Sequence, residues 1–386
     1  MITTLAVRGF RSLRDVVLPL GPVTVVTGAN GVGKSNLYRA FQLLSDTASG
    51  QFVASLARVG GLGSVLWAGP EDVSKAMLRG EQPVQGTGSR RSPISLALGF
   101  QTGELGYLID IGLPQPSRSM FDRDPEIKRE HVWAGPVLRP AAALVERKRL
   151  AVRVREDDGW AELGFQVSPV VGLLDELSDP IGYPEVHELR RLVRRWRFYD
   201  SFRVDSQAPA RLPRVGTRTE VLAADGHDLA PAVQTILESA WAEVFTQTVA
   251  DALPGSSVGV VEAGGRFELA LTQPGMLRPL SGLELSDGTL RFLLLAAALL
   301  SPRPPGLLVI NEPETSLHPG VVDVVAELVV RSAERSQVVV VTHSGVLADR
   351  LEQAGALRHE LAKRLGETYL PEQGLLTRPQ WNWGTR

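Results

Sequence analysis

Residues 28 to 35 read Gly-Ala-Asn-Gly-Val-Gly-Lys-Ser, and no other part of the chain restricts its architecture as strongly. The spacing of a glycine, four residues and then Gly-Lys-Ser is that of a phosphate-binding loop. Glycines let the backbone wrap around phosphates, Lys34 is placed to reach the terminal phosphates, and Ser35 is placed to bind Mg²⁺. The alternative is a glycine-rich turn without function. An apolar run at 23–27 and a helical pattern from 34 to about 44 flank the loop as a phosphate site requires, and they favour the first interpretation.

A second apolar run, 307–310, ends in Asn311 and Glu312. Four consecutive branched apolar residues predict a strand buried on both faces, and ligands bind at the carboxyl end of such strands. A predicted helix leads to a further apolar run, 338–341, which ends in Thr-His-Ser. A crossover of this length makes the two strands parallel neighbours, so we expect Glu312 and His343 at one edge of a sheet. Taken alone, His343 is better explained as an ordinary loop histidine, but its position at the end of this strand favours a functional role.

The sequence Leu-Ser-Asp-Gly-Thr at 285–289 stands directly before an apolar helical pattern at 290–300. Ser286 is the expected N-cap of that helix, because a serine hydroxyl accepts a hydrogen bond from a free N–H of the first turn. By itself this segment is a capping signal and nothing more.

The composition is that of a globular protein of 386 residues, with 44% hydrophobic side chains and a formal net charge of −2. A charge near zero means that any nucleic-acid surface must be a local patch. The chain has no cysteine, which excludes disulfides, thiolate metal sites and a cysteine nucleophile. The first residues do not resemble a signal peptide, and the apolar run at 292–300 is too short to cross a bilayer. We therefore expect a cytoplasmic protein without a membrane segment.

Three segments are predicted along the chain. The first, 1–171, begins with short strands and continues with alternation of period two from Ile94 to about residue 165, which predicts an antiparallel sheet. The second, 172–225, is predicted as an insertion that is helical to about residue 200 and then a loop. The third, 226–386, alternates helix and strand patterns and predicts a parallel sheet. The sequence contains no internal repeat and no sustained heptad pattern.

These motifs together resemble the ABC-type ATPase superfamily, and within it the RecF/SMC-like branch of DNA-repair and genome-defence ATPases. Residues 28–36 match the loop pattern of that branch, Gly-x-Asn-Gly-x-Gly-Lys-Ser-Asn, and residues 7–13 look like its first strand. Residues 285–289 and 312–319 are similar to bacterial RecF-like ATPases, often labelled AAA-type ATP-binding proteins. The resemblance implies an α/β P-loop NTPase fold. It would be one discontinuous ABC-type ATPase head with an antiparallel β subdomain and a small helical insertion.

The resemblance also implies ATP and Mg²⁺ as cofactors and a homodimer that forms on ATP binding. The expected nucleotide-binding residues are Gly28, Asn30, Gly31, Gly33, Lys34, Ser35, Asn36, Ser286 and Gly288. The last two would contact the γ-phosphate held by the opposite subunit. Glu312 would act as general base and His343 would contact the γ-phosphate. Ser35 and Asn311 would hold Mg²⁺.

Two residues depart from the patterns of this superfamily. Asp287 stands where transporter signatures have glycine, and a carboxylate near phosphate is unfavourable unless it points away, so its direction is left open. Asn311 replaces the aspartate that usually holds Mg²⁺. An amide oxygen accepts a hydrogen bond from a metal-bound water but carries no charge. We therefore expect a slow, metal-sensitive site rather than an inactive one.

The expected function is an ATP-hydrolysing dimeric switch in DNA repair, the DNA damage response or phage defence, acting with or without an effector or nuclease partner. The alternative is an ATP-binding regulatory protein that hydrolyses ATP slowly or not at all. A transporter ATPase subunit fits the loop sequence and the chain length poorly.

A basic helix is the candidate for contact with DNA. Its arginines are Arg190, Arg191, Arg194, Arg195 and Arg197. On a helical wheel Arg190, Arg194 and Arg197 share one face, which would neutralise phosphates. The same pattern is compatible with a solvated surface helix or a helix that docks a partner. Trp196, on the apolar face, is expected in the core.

Overall fold

The computed structural model describes residues 1–70, 77, 79, 81, 95–115, 120–200, 202–374 and 376–384, so the predicted strand residue Ile94 lies outside the described residues. The chain forms two compact units. The first contains Met1–Gly21, Gly28–Arg195 and His359–Arg386, and the second contains Pro22–Thr27 and Trp196–Arg358. Each unit is therefore built from segments that are distant in the sequence.

The first unit is organised around an eight-stranded sheet. Its strands are β1 (Ile2–Phe10), β2 (Leu13–Pro19), β4 (Leu96–Thr102), β5 (Leu105–Gly112), β6 (Glu126–Ala134), β7 (Ala143–Lys148), β8 (Ala151–Glu156) and β9 (Gly159–Glu162), while β3 (Val23–Thr27) belongs to the second unit. The order is β2-β1-β4-β5-β6-β7-β8-β9, and neighbouring strands are antiparallel. The antiparallel sheet predicted from the alternation is confirmed, and β1 and β2 extend it.

The helices of the first unit are α1 (Lys34–Thr47), α2 (Phe52–Arg58), α3 (Leu62–Val65), α4 (Leu173–Glu176) and α5 (Pro184–Arg194), and a short hairpin is formed by β18 (Ala362–Arg364) and β19 (Glu367–Tyr369). Strands β4 and β5 are buried on both faces. Their polar positions are therefore paired inside the unit. Asp110 of β5, for example, accepts a hydrogen bond from Arg129 of β6 at 3.0 Å, and both side chains are buried.

The second unit contains a parallel sheet. Its strands β3, β10 (Trp196–Tyr199), β15 (Leu307–Asn311) and β16 (Gln337–Val341) lie in the order β10-β15-β16-β3, followed by β17 (Leu357–Glu360). The pairs β10/β15, β15/β16 and β16/β3 are parallel. Because parallel strands end at the same edge, the carboxyl ends of β10, β15 and β16 meet within this unit. The parallel sheet predicted for the C-terminal part of the chain is confirmed.

The helices of the second unit are α6 (Leu229–Leu237), α7 (Ala242–Ala252), α8 (Asp287–Leu299), α9 (Val322–Ser332) and α10 (Gly345–Gln353), with 3-10 turns at Pro209–Arg211 and Pro319–Val321. Helix α8 is buried all round from Leu290 to Leu299, as its sequence, apolar except for Arg291, indicates.

A small antiparallel sheet in the second unit was not predicted from the sequence. It comprises β11 (Arg214–Val215), β12 (Ser257–Ala263), β13 (Arg266–Thr272) and β14 (Leu280–Ser281), all paired through β13. Gly264 and Gly265 form the turn between β12 and β13, with φ of 60° and 78°. A Gly-Gly pair between two strand-like runs is a hairpin signal, so the information was present in the sequence.

The helix predicted to continue to about residue 200 was wrong beyond Arg194. Helix α5 ends there, and Trp196–Tyr199 form strand β10, which pairs with β15. Trp196 and Tyr199 are buried in the sheet, so their burial there overrides the helical pattern. Arg197 therefore lies on a strand of the second unit and does not share a helical face with Arg190 and Arg194.

Across the part of the chain that the structure describes, every helix falls short of the length and apolarity needed to traverse a bilayer.

Candidate functional site

The phosphate loop, residues 28–35, lies between the end of β3 and the start of α1. Gly28, Gly31 and Gly33 have φ of 142°, 79° and 115°, which residues other than glycine rarely adopt. A Cβ at Gly33 would also collide with the hydroxyls of Ser12 and Thr368. Two independent constraints, backbone conformation and space, therefore require glycine in this loop.

Lys34 lies inside the curve of the phosphate loop. Its Nζ donates hydrogen bonds to the carbonyl oxygens of Gly28 at 2.7 Å and Ala29 at 3.1 Å, and the residue is 5% exposed. Ser35, in the first turn of α1, is exposed. The loop thus places an ammonium group at the N-terminus of a fourteen-residue helix, which is an arrangement that favours anionic phosphate.

Contacts from distant parts of the chain support the phosphate loop within the first unit. The hydroxyl of Thr368, in β19, donates to the carbonyl oxygen of Val32 and is hydrogen-bonded to the Ser12 hydroxyl at 2.7 Å. Lys363 of β18 donates to the carbonyl oxygen of Gly31 at 3.0 Å. Asn36 donates to Ser12 at 2.9 Å. The Asn36 amide is thus hydrogen-bonded within the protein, and its predicted contact with nucleotide stays a prediction. Sequence analysis missed this C-terminal hairpin because no local pattern connects it with the loop.

In the second unit, Asn311 and Glu312 lie at the carboxyl end of β15. Asn311 is the parallel partner of Val341 in β16, and the Glu312 N–H donates to the Val341 carbonyl oxygen at 2.7 Å. Glu312 has φ of 48°, a left-handed conformation that is unfavourable for a residue with a side chain. Its carboxylate is 38% exposed. Such strain is typical of functional sites, where the surrounding structure holds the residue in place.

His343 faces two carboxylates. One of them is Glu312, which the sequence predicted at the same edge of the sheet. Its Nδ1 lies 3.5 Å from Glu312 Oε1 and 3.3 Å from Glu314 Oε1. The Glu314 carboxylate is 8% exposed and accepts hydrogen bonds from the Thr342 hydroxyl and from the N–H groups of His343 and Ser344, at 3.3 and 3.2 Å for the latter two. Glu314 therefore fixes the turn that carries His343. Sequence analysis did not identify this role of Glu314.

Asn311 is hydrogen-bonded to a carboxylate that sequence analysis did not identify. Its Nδ2 donates to Asp200 Oδ1 at 2.8 Å. Asp200 directly follows β10, whose carboxyl end lies beside that of β15. The negative charge that an aspartate would carry at position 311 is therefore supplied by the neighbouring strand. We missed Asp200 because the residues before it were predicted to be helical.

A buried arginine balances these charges. Arg291 of α8 is 4% exposed and donates from Nη1 to the carbonyl oxygen of Thr315 at 2.9 Å. Burial lowers the pKa of Arg291 below its usual value, and the carboxylates of Asp200, Glu312 and Glu314 act in the opposite direction. The guanidinium is therefore a fixed positive charge behind the strand ends.

The signature segment, residues 285–289, begins α8. Ser286 is its N-cap, as predicted, and accepts a hydrogen bond from the Thr289 N–H at 3.2 Å. The direction of Asp287 is now defined, because its Oδ1 accepts from Arg211 Nη2 at 2.7 Å. A Cβ at Gly288 would come within 2.9 Å of the Ser316 carbonyl oxygen, so only glycine fits closely there.

Each unit contains oxygen groups of the kind that bind a hard divalent cation. In the first unit Ser35, which follows Lys34 in the sequence, has an exposed hydroxyl, and in the second unit the Asn311 amide lies beside the Asp200 carboxylate. Mg²⁺ prefers such oxygen ligands and is usually bound through few protein groups together with substrate phosphates.

The arginines of α5 differ in their surroundings. Arg191, Arg194 and Arg195 are exposed at the end of the helix, whereas Arg190 pairs with Asp175 at 3.0 Å and is partly buried. Trp196 is 2% exposed, which confirms its expected place in the core.

A phosphate loop between a strand and a helix, in a chain whose parallel strands end in Glu312 and His343, is typical of P-loop ATPases. The family model described as "AAA domain, putative AbiEii toxin, Type IV TA system" matches residues 23–349, and the chain belongs to this family. The protein thus contains an AAA domain with a phosphate loop, and its fold is like that of an SMC head.

Similar proteins agree with this classification. A segment of 44 residues is 48% identical to the OLD nuclease of Thermus scotoductus, and the match covers 11% of this chain and 8% of that protein. An SMC head bound to the C-winged helix domain of ScpA has a TM-score of 0.51 at 15% identity, over 97% of this chain and 98% of that chain. The SMC head domain from Thermotoga maritima has a TM-score of 0.43 at 16% identity, over 97% and 99%. The first structural likeness shows the fold, and the predicted ABC-type ATPase head is confirmed.

Proposed function

We propose that this protein hydrolyses ATP and uses ATP binding to switch between a monomer and a homodimer. The observation that supports hydrolysis most directly is the pairing of Glu312 with His343 at the ends of neighbouring parallel strands, with Nδ1 and Oε1 3.5 Å apart. A carboxylate that is partly exposed and held in a strained conformation is suited to accept a proton from an attacking water.

Each residue has a defined task in this proposal. Lys34 exchanges its two carbonyl acceptors for phosphate oxygens when nucleotide binds. Glu312 orients the water and accepts its proton. The carboxylates of Glu312 and Glu314 face Nδ1 of His343, so Nε2 is the nitrogen left to meet a phosphate oxygen, to which it would donate as N–H in the doubly protonated ring. Mg²⁺ would neutralise charge that develops on the phosphates.

Ser35 and Asn311 are the residues proposed to bind Mg²⁺, and Asp200 carries the charge that Asn311 lacks. One unit charge at about 4 Å is worth on the order of 4 kcal/mol at an effective dielectric constant near 20, before compensation. Asp200 Oδ1 lies 2.8 Å from the Asn311 amide, so a negative charge stands next to this position. We infer that Mg²⁺ still binds, with reduced affinity.

The decisive experiment compares wild type with Glu312→Gln. We expect wild type to hydrolyse ATP, and the variant to lose about 100-fold or more of the rate because the proton acceptor is gone. Sedimentation with ATP should then show a persistent dimer of the variant, since hydrolysis no longer removes the ATP that holds the two subunits together. Equal and negligible hydrolysis by both proteins, with no dimer in either, would contradict the proposal.

One observation favours the alternative of an ATP-binding regulatory protein with little or no hydrolysis. The amide at Asn311 is committed to Asp200, so no charged ligand stands at the position that usually holds the metal. ATP-dependent dimerisation of wild type without measurable phosphate release would support this alternative.

We further propose that the protein acts on DNA in repair, in the DNA damage response or in phage defence, alone or with an effector or nuclease partner. The nuclease name of the Thermus scotoductus relative and the exposed Arg191, Arg194 and Arg195 support this proposal. Replacing these three arginines by glutamine should weaken DNA binding and reduce its logarithmic salt slope by about 2 to 3. The same change at Arg266, Arg278 and Arg303, three exposed arginines of the second unit, is the control for overall charge. Equal effects of both triple variants would exclude a specific role of α5.

A further inference from the structure

Asp287 presents an electrostatic problem for the signature segment. It lies in the first turn of α8 between Ser286 and Gly288, and its side chain is 63% exposed. If this helix start approaches a phosphate of another subunit, an unbalanced carboxylate beside it would repel that phosphate. Either the segment does not approach phosphate, or the charge of Asp287 is neutralised.

The structure contains a neutralising group, the guanidinium of Arg211. This residue ends a 3-10 turn at Pro209–Arg211 and is 4% exposed. Its side-chain nitrogens donate to the carbonyl oxygens of Val204, Asp205, Gly282 and Leu285 and to the carboxylate of Asp287, at distances of 2.6 to 3.1 Å. All three nitrogens are used. Arg211 thus ties two loops together and directs one N–H at Asp287.

The signature segment is built closely around this arginine. A Cβ at Gly282 would lie 2.8 Å from the Arg211 carbonyl oxygen, so the loop before the segment contacts the backbone of Arg211 directly. The Nη1 group bonds Gly282 and Leu285 at 3.0 and 2.6 Å, and Leu285 precedes the N-cap Ser286. The position of the N-cap is therefore coupled to the position of the guanidinium. A lysine cannot reproduce this set of contacts, because it lacks the planar fork of five N–H donors.

We propose that Arg211 is a positioning residue which neutralises Asp287 and holds the signature segment ready to meet the phosphate of a nucleotide bound by a second copy of this chain. This inference rests on the proposed dimer. In it, the Asp287 carboxylate is turned towards Arg211, and the Ser286 hydroxyl and the backbone at Gly288 are left to approach phosphate. The ion pair thus allows an aspartate at a position where free negative charge would oppose dimerisation.

Charge compensation between the two residues tests the proposal. Four proteins are compared in the Glu312→Gln background, which prevents hydrolysis: the parent, Arg211→Gln, Asp287→Asn and the double variant. The dimer dissociation constant is measured with saturating ATP and Mg²⁺ by sedimentation. We expect Arg211→Gln to weaken the dimer about 10-fold or more, Asp287→Asn to have little effect, and the double variant to recover most of the loss. A purely structural role predicts no such recovery, because Asp287→Asn does not restore the carbonyl contacts.

Affinity of the monomer for a fluorescent ATP analogue is measured in parallel. It should be unchanged in all four proteins, since Arg211 is hydrogen-bonded to Gly282, Leu285 and Asp287 of the second unit, and these residues are not part of the phosphate loop. If Arg211→Gln does not fold, Asp287→Ala decides the question, because it removes the carboxylate and leaves the carbonyl contacts of Arg211 in place. The proposal requires that Asp287→Ala dimerises as tightly as the parent, and a 10-fold loss would overturn it.

The outcomes separate this inference from the proposed function. A parent protein that binds ATP but does not dimerise removes the ATP-driven dimer, and the role of Arg211 with it. A parent that dimerises, with Arg211→Gln and the double variant equally weakened, removes only the neutralising role and leaves the proposed function intact.

Discussion

Arg147 in the first unit and Arg211 in the second are both buried and both bond a carboxylate, yet their carboxylates differ. Arg147 Nη1 lies 2.8 Å from Glu130, and both side chains are fully buried. Glu130 also accepts from the Leu173 N–H at 2.9 Å and from the Tyr107 hydroxyl. In the Arg211 pair, by contrast, the carboxylate of Asp287 is 63% exposed. The first pair is closed within the core, whereas the second connects the core with the surface. Burial of an arginine therefore does not reveal its role, and the exposure of its partner does.

The largest effect that this contrast predicts is on stability. Glu130→Ala would leave the Arg147 guanidinium buried without its counter-charge and would remove the acceptor of Tyr107 and Leu173. We expect a loss of about 3 to 5 kcal/mol in the free energy of unfolding, measured by urea denaturation. Asp287→Ala is the matched comparison and should cost less, about 1 kcal/mol, because Arg211 keeps its carbonyl acceptors and the lost carboxylate is mostly exposed. Similar losses in both variants would show that the two pairs do not differ in kind.

A second effect, on the pH dependence of stability, is also confined to the first unit. Burial lowers the pKa of His131 from 6.5 to about 4, with Glu146 opposing the shift and Arg129 adding to it. A folded pKa below the unfolded value means that the neutral ring stabilises the fold above pH 6.5. This stabilisation is lost as the pH falls from about 6.5 to about 4, and it amounts to about 2 to 3 kcal/mol.

The measurement is urea denaturation at several pH values between 4 and 7. His131→Gln should flatten the decline in stability over this range. His318→Gln, at an exposed histidine of the second unit, should keep the wild-type profile. A His131→Gln profile that is parallel to wild type would mean that other groups cause the acid sensitivity.

The smallest predicted effect concerns the strand ends of the second unit. Asn311→Asp should lower the Mg²⁺ concentration needed for half-maximal hydrolysis by about 3- to 10-fold, and Asp200→Asn should raise it by a similar factor. The gain at 311 is limited, because a second carboxylate would stand beside Asp200. Mg²⁺-dependent binding of a fluorescent nucleotide gives a second readout of metal affinity. Unchanged titrations in both variants would show that neither position contributes to the metal site.

Local chemistry explains which features were predictable from the sequence. The phosphate loop, the N-cap Ser286 and the strand ends at Glu312 and His343 are each encoded within a few residues, and the structure places them as expected in their elements. Continuous apolar runs predicted the parallel sheet, and alternation of apolar and polar residues predicted the antiparallel sheet. The catalytic and binding roles of these residues stay predictions.

The missed features depend on contacts between distant residues. Thr368 supports Val32, and Arg211 reaches Asp287, although no pattern in the sequence joins either pair. Asp200 was missed for a different reason. The strand before it, Trp-Arg-Phe-Tyr, is short and also continues the helical pattern, and only the pairing of β10 with β15 decides between the two.

The left-handed backbone at Glu312 has a consequence for attempts to engineer this protein. A carboxylate residue in that conformation costs on the order of 1 kcal/mol, and glycine or asparagine would adopt it more easily. A library selected for heat resistance alone would therefore enrich glycine or asparagine at position 312. The selected proteins would tolerate higher temperature and lose the group proposed to activate water, so selection at this position must include turnover.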